Sequence, residues 1–107
     1  MHEAGIAATA LAGAIDAAAK AGATEAPLAL DVTFDPGRVA PEALRFHLEL
    51  AMRDAGFDDV PLNLTARPVR CEACGRLVSP EAFLLCDECG APLPAPSGPI
   101  AEARFAF

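Results

Sequence analysis

Tryptophan and tyrosine are absent from this chain, and six phenylalanines supply all its aromatic bulk. Basic residues are scarce as well: eight Lys and Arg stand against fifteen Asp and Glu, a formal net charge of −7. Nucleic-acid binding is driven by Lys and Arg that displace counterions from phosphates, so this balance argues against a nucleic-acid partner. It argues equally against an anionic membrane surface. No apolar run approaches the roughly 20 residues that a membrane-spanning helix needs. The opening stretch "MHEAGIAATALAGAIDAAAK" is alanine-rich, yet it lacks a basic start and is interrupted by Glu3 and Asp16, unlike a secretory signal. The expectation is a soluble, cytoplasmic protein. Missing too are a phosphate-binding glycine loop and a nucleophile paired with a base, so an enzyme is not expected.

What is present is modest in size. A chain of 107 residues suffices for one domain, or one domain plus a small module. Apolar residues make up 53% of it, but 25 of them are alanines, which bury little surface each. The core should therefore be small and built from Leu, Val, Ile and Phe.

All four cysteines fall in "CEACGRLVSPEAFLLCDECG". Cys71 and Cys74 form one C-x-x-C pair, Cys86 and Cys89 a second, with eleven residues between the pairs and a glycine, Gly75 or Gly90, after each. A tight turn places two thiolates on one edge of a tetrahedron, and the glycine tolerates the backbone angles of that turn. Two such knuckles complete a closed four-thiolate site with no position for substrate. Two disulfides, or four unrelated thiols, would be the bland alternative; disulfides are out of place in a cytoplasmic chain, and a doubled C-x-x-C-G with a short spacer is rarely accidental. Zinc is the expected ion, and a rubredoxin-like iron centre stays open because thiolates do not decide between the two. The segment has few large apolar side chains (Leu77, Val78, Phe83, Leu84, Leu85, Leu93), so the ion is also expected to fold it. Four thiolates and one zinc ion take the formal charge from −7 to about −9.

The rest reads as alternating helix and strand. Residues 4–21 form a helix by alanine propensity, with Ile6, Leu11, Ile15 and alanines as its packing face and Gly22 as its C-cap. In "PLALDVTF", Leu28, Leu30, Val32 and Phe34 alternate with polar Asp31 and Thr33, a half-buried strand that "DPG" (35–37) ends in a turn. Pro41 starts a second helix with Glu42 near its positive end and Gly56 beyond its last turn. Its stripe is Leu44, Leu48, Ala51 and Ala55, widened by Phe46, Leu50 and Met52. His47, the only histidine besides His2, reads as a partly buried packing residue rather than a ligand. Asp58 and Asp59 read as a solvated turn. Residues 60–70 alternate again, with Leu62, Leu64 and Ala66 on one side and Pro68 marking an edge strand or a strand end. "APLPAPSGP" (91–99) is an extended connector, and 101–107 is a last strand returning to the first sheet. The expected fold is α+β: two helices on a three- or four-stranded sheet (1–70 plus 99–107), with a four-cysteine zinc ribbon inserted at 71–98.

Taken in order, these pieces resemble the HypA/HybF family of nickel-incorporation proteins for [NiFe]-hydrogenase. The resemblance rests on "MHE" at the start, "VAPEALRFHLELA" (39–51) and the doubled "CEACG…CDECG". It implies a nickel-binding α/β domain and a zinc domain, and a role in nickel delivery to the hydrogenase large subunit with a partner GTPase. In some organisms it extends to urease and its accessory proteins. The chain departs from the family pattern in "TFDPGR" at the end of the first strand, in a first helix poor in charge, and in having no histidine beside either cysteine pair. A pH-responsive zinc module is therefore not expected.

The terminus offers the matching chemistry. The amine of Met1, the next amide nitrogen and the imidazole of His2 can close fused chelate rings around one cation. Glu3 can add an amide nitrogen or a carboxylate. Nitrogen-rich ligation suits Ni(II) and Cu(II); ligand preference alone favours copper, and the resemblance favours nickel. Met1 is expected to stay, because excision is disfavoured before a bulky residue. The leading reading is thus a nickel metallochaperone with labile Ni(II) at Met1, His2 and Glu3 and structural zinc at Cys71, Cys74, Cys86 and Cys89. A zinc-ribbon interaction module without metal cargo is the alternative, and an iron-thiolate electron carrier stands third.

Overall fold

Alanine shapes the first element and the way it packs. The computed structural model describes residues 2–78, 85–94 and 98–107, and of His2 only the backbone. The elements run α1 (His2–Lys20), β1 (Ala29–Phe34), α2 (Pro41–Asp54), β2 (Leu62–Ala66), β3 (Val69–Arg70), β4 (Leu77–Val78) and β5 (Ala101–Ala106). Nine of the nineteen residues of α1 are alanine, the best helix former, with Glu3 in the first turn and Lys20 in the last, as the helix dipole favours. Both helices stop in the same way. Past α1, Ala23 N–H reaches Ala18 O and Gly22 N–H reaches Ala19 O; past α2, Phe57 N–H reaches Met52 O and Gly56 N–H reaches Arg53 O. These nested bonds need a left-handed residue, and Gly22 and Gly56 adopt φ of 73° and 88°.

The main sheet has the order β2-β1-β5. β1 is central, parallel to β2 (Leu30↔Leu62 through Phe34↔Ala66) and antiparallel to β5 (Leu30↔Phe105 through Phe34↔Ala101). Parallel neighbours need a crossover, and α2 supplies it. Leu30, Val32 and Phe34 of β1 pack against Leu44, Leu48 and Met52 of α2, Ala7, Leu11 and Ala14 of α1, Val39 and Phe105. The opposite face carries exposed Asp31, Thr33, Asn63, Glu102 and Arg104, with Asn63 Nδ2 donating to Asp31 Oδ1 at 2.9 Å. Among the described residues this is the expected α+β architecture, with three strands, two helices and, as a separate two-stranded sheet, β3 against β4.

Several expected core positions differ. Ile15 is exposed, and Ala7, Ala10 and Ala14 form the buried seam of α1 with Leu11. Small residues let the helix sit close, and Ile15 lies one residue, about 100°, past Ala14 and turns outward. Phe46 and Leu50 do not widen the stripe of α2: each lies two residues, about 200°, beyond a buried leucine, and Phe46 is 58% exposed. Ala55 is exposed beyond the last turn, and Leu28 lies before the first strand begins, 68% exposed. Phe107 is half exposed, whereas Phe105 is buried against Phe57 at 5.0 Å between ring centroids. β2 is an edge strand ending before Pro68, and the chain resumes as β3. Phe83 and Leu84 of the cysteine segment, and residues 95–97 of the connector, lie outside the described residues.

Candidate metal centres

The two cysteine pairs fold as near-duplicates. In the first knuckle Cys71 N–H reaches Arg76 O at 2.8 Å and Gly75 N–H returns to Cys71 O at 2.8 Å. In the second, Cys86 N–H reaches Ala91 O and Gly90 N–H returns to Cys86 O, both at 2.9 Å. Gly75 and Gly90 sit at φ of 79° and 73°, where a side chain would strain the turn. The first cysteine of each pair is buried and the second exposed. The turn of the first knuckle joins β3 to β4, and Leu85 bridges Pro92 across the second. Arg76 and Glu88 tie one knuckle to the other at 2.7 Å.

The four sulfurs all lie within 4.8 Å of one another. Cys71 Sγ is 3.6 Å from Cys89 Sγ and Cys74 Sγ is 3.7 Å from Cys86 Sγ. A disulfide would need about 2.05 Å. Tetrahedral bonds of about 2.3 Å put sulfurs roughly 3.8 Å apart, so these separations fit one ion held by four thiolates. The thiol chemistry agrees. Backbone N–H groups of Cys74 and then Ala73 stabilise the Cys71 thiolate and outweigh its burial, drawing that thiol down to about 7. At Cys89 the Ala91 N–H pulls downward, yet the Cys71 sulfur, burial and the other two sulfurs push the thiol up to about 12. Cys74 is also raised: burial, Cys71 and Cys86 outweigh the Arg76 N–H. Four sulfurs this close do not all ionise unless a cation sits among them.

The start of α1 lies elsewhere, at the Phe34 end of β1. A cleft of about 830 Å³ is lined by Glu3, Gly5, Ile6 and Thr9 of α1, by Arg38, and by Pro99–Ala101. Glu3 is half-buried, and its carboxyl is held below the usual value, first by its own backbone N–H, then by the terminal amine, and least by the charge of His47 on α2. Met1 and the side chain of His2 lie outside the described residues. His47 is half-buried, as expected, and meets the Phe46 ring edge-on at 5.3 Å.

Comparison with known proteins decides the family. Residues 1–98 match the family described as "HypA: Hydrogenase/urease nickel incorporation, metallochaperone, hypA". The chain belongs to the HypA family. No curated protein matches it. The family match includes the "MHE" start and both cysteine pairs, and stops short of β5. A HypA-family chain is a metallochaperone for hydrogenase or urease maturation, in keeping with the resemblance. Among the described residues no helix is long and apolar enough to cross a membrane.

One part of this HypA-family chain escaped sequence reasoning. Asp35, within the expected turn, is buried and accepts Gly37 N–H at 2.9 Å and Arg38 Nε at 2.8 Å. Arg38 Nη2 then donates to Gly98 O at 3.0 Å, and Arg67 Nη1 donates to Pro99 O at 2.9 Å. Asp35 N–H reaches Ile100 O and Arg67 N–H reaches Phe34 O. Two arginines thus hold the chain where it returns from the cysteine segment. The available signal was an Asp-Pro-Gly-Arg turn, whose Asp and Arg stand three residues apart.

Proposed function

We propose that this protein carries Ni(II) at its first residues and releases it during maturation of the [NiFe]-hydrogenase large subunit, or of urease. A partner GTPase acts in the transfer, and urease accessory proteins are partners where urease is the client. The ligands are the Met1 amine, the adjoining amide nitrogen and the His2 imidazole, with Glu3 adding a carboxylate or a second amide. The observation that carries this reading is a family match that begins at residue 1 and so includes "MHE".

The local structure supports it. α1 begins at His2, and the first four N–H groups of any helix lack an intrahelical acceptor. An amide nitrogen there can therefore serve a metal without breaking the helix. The same end carries the positive pole of the helix dipole, which opposes a cation by roughly 0.3–1 kcal/mol. Anionic donors, a deprotonated amide and the Glu3 carboxylate, offset that opposition. A site balanced in this way suits a cargo that must leave again.

In the same reading Cys71, Cys74, Cys86 and Cys89 hold one structural zinc ion, and the chain performs no catalysis of its own. It works in the cytoplasm, where thiols stay reduced. The chain divides into a nickel-binding part, 1–70 plus 99–107, and a zinc module, 71–98; two separate core clusters support that division.

Nickel titration of tag-free protein tests the terminal site. The native start should bind one Ni(II), and an N-terminal extension or His2→Ala should abolish that binding while one zinc per chain remains. Nickel affinity that survives both changes overturns the reading. Colourless protein with one tight zinc excludes the iron-carrier alternative, and zinc without displaceable nickel would leave only an interaction module.

A further inference from the structure

β2 is a free edge of the main sheet, and its sequence does little to guard that edge. Leu62–Ala66 carries no charge and no proline, the devices that usually keep an edge strand from pairing again. Pro61 and Pro68 stand outside it and limit further pairing to this short stretch. On the inner side Leu30 N–H donates to Pro61 O, and Arg67 N–H donates to Phe34 O. Backbone groups alternate in direction along a strand, so positions 61, 63, 65 and 67 face β1. The N–H and C=O of Leu62, Leu64 and Ala66 face outward, with no further strand beside them among the described residues.

α2 runs along this edge in the opposite direction. Glu42, Arg45 and Phe46 line a hollow of about 490 Å³ with Leu64 and Ala66. Arg53 lines a second, of about 270 Å³, with Pro61 and Leu62, and Glu49 belongs to both. Glu42, Arg45, Phe46, Glu49 and Arg53 fall on one helical stripe, and all five are exposed. The four charges alternate in sign, and among the described residues none has an ion-pair partner in its own chain. Glu42 and Arg53 are symmetric about the middle of α2, and so are Arg45 and Glu49, both pairs within half a residue of position 47. That level of the helix lies beside Leu64, which Phe46 and Glu49 both border. Leu64 is in turn the middle residue of β2.

We propose that β2 and the adjoining stripe of α2 form a docking surface for a second copy of this chain. About a two-fold axis at Leu64 the two β2 strands pair antiparallel, Leu64 with Leu64 and Leu62 with Ala66, through the outward N–H and C=O groups. The two three-stranded sheets become one of six strands. On its helical side Glu42 of each copy meets Arg53 of the other, Arg45 meets Glu49, and the Phe46 rings enter the hollows beside the axis. The charges of the stripe sum to zero, so this surface closes without the repulsion that a net −7 imposes elsewhere. The contact is isologous and closes on itself. It is independent of the nickel reading.

The test uses the full-length, tag-free, zinc-loaded protein in sedimentation velocity from micromolar to millimolar concentration. Zinc content and far-UV circular dichroism report the fold. The expected species is a dimer of about 22 kDa, twice the 11.0 kDa chain. Arg45→Glu and Glu49→Arg each set like charges face to face across the axis, and each alone should weaken association at least about tenfold. Both side chains are exposed, so neither change disturbs the core. Mixed in equal amounts, the two variants should form a dimer of native affinity, because each then faces the sign it lacks. A native chain that stays monomeric overturns the proposal and leaves the groove to an extended segment of another protein. A dimer indifferent to both changes uses another surface and overturns it equally. Variants that dissociate but do not rescue one another overturn the two-fold pairing.

Discussion

The sheet with its two helices and the four-cysteine ribbon are stabilised by different materials. In the first, eleven buried residues from α1, β1, α2, β5 and the Val39 turn form one cluster. In the second, the buried residues among those described are Cys71, Cys86, Val78 and Leu93, two of them cysteines. The ribbon brings four sulfurs together where one ion could bind them, whereas the sheet depends on packing. Each half should respond to a perturbation that leaves the other standing.

The largest effect belongs to the ion. Structural zinc contributes roughly 10–16 kcal/mol of apparent binding energy in isolated fingers. Chelation, or Cys86→Ser, should release the metal and unfold the β3–β4 hairpin and both knuckles. Amide exchange measured by mass spectrometry should then become fast over 71–78 and 85–94. Slow exchange should persist in β1 and α2. Equal loss of protection in β1 would show that the two regions form one cooperative unit.

The reverse perturbation is smaller. Leu48 is fully buried at the centre of the α2 seam, so Leu48→Ala should cost about 2–5 kcal/mol. Thermal unfolding should register that loss while zinc content stays at one per chain. Leu77→Ala is the matched control in the ribbon: Leu77 is 58% exposed, and the change should fall within about 0.5 kcal/mol.

The contrast also explains what could be read from the sequence. Ribbon chemistry is local: paired C-x-x-C-G units specify turn, donor set and ion geometry within a few residues, and the sulfur separations follow. Strands were legible wherever alternation meets a two-sided environment, as in Leu30, Val32 and Phe34. The face of α1 was not legible, because nine alanines offer no contrast between inside and outside. Only the burial of Ala7, Ala10 and Ala14 in the fold defines it. Phe46 misleads for the opposite reason, being large and apolar on the outer side of α2. The hold of Arg38 and Arg67 on Gly98 and Pro99 joins residues about sixty and thirty positions apart, and no sequence window contains it.

That hold is where the two regions meet, and its loss should cost less than either core. Asp35 is buried and fixes Arg38 through Nε. Asp35→Ala leaves Gly37 N–H and the guanidinium without their acceptor, a penalty of about 1–3 kcal/mol. The variant should lose thermal stability by that amount yet keep its zinc. Exchange at the residue-35 amide, which donates to Ile100 O, should rise together with that of β5. Unchanged exchange there would mean that strand pairing alone holds the returning chain.

The smallest effect concerns pH at the nickel end. A carboxyl held below its usual value is ionised above that value and loses its contribution only as pH falls through the lowered one. Glu3, lowered from 4.5, therefore stays anionic throughout the neutral range. A terminal amine and an imidazole have reference values of about 8 and 6.5, so protons compete at those two donors. Nickel affinity should fall as pH drops from about 7 to 6. Glu3→Gln should weaken binding a few-fold at every pH, because an anionic donor is lost beside the positive pole of α1. The fall should still lie within reach of the amine and imidazole titrations. A fall in affinity that tracks no ionisation in that range would remove the amine and imidazole from the ligand set. Weaker binding at every pH with the fall kept in that range separates the roles: nitrogen donors set when nickel is held, and the carboxylate sets how strongly.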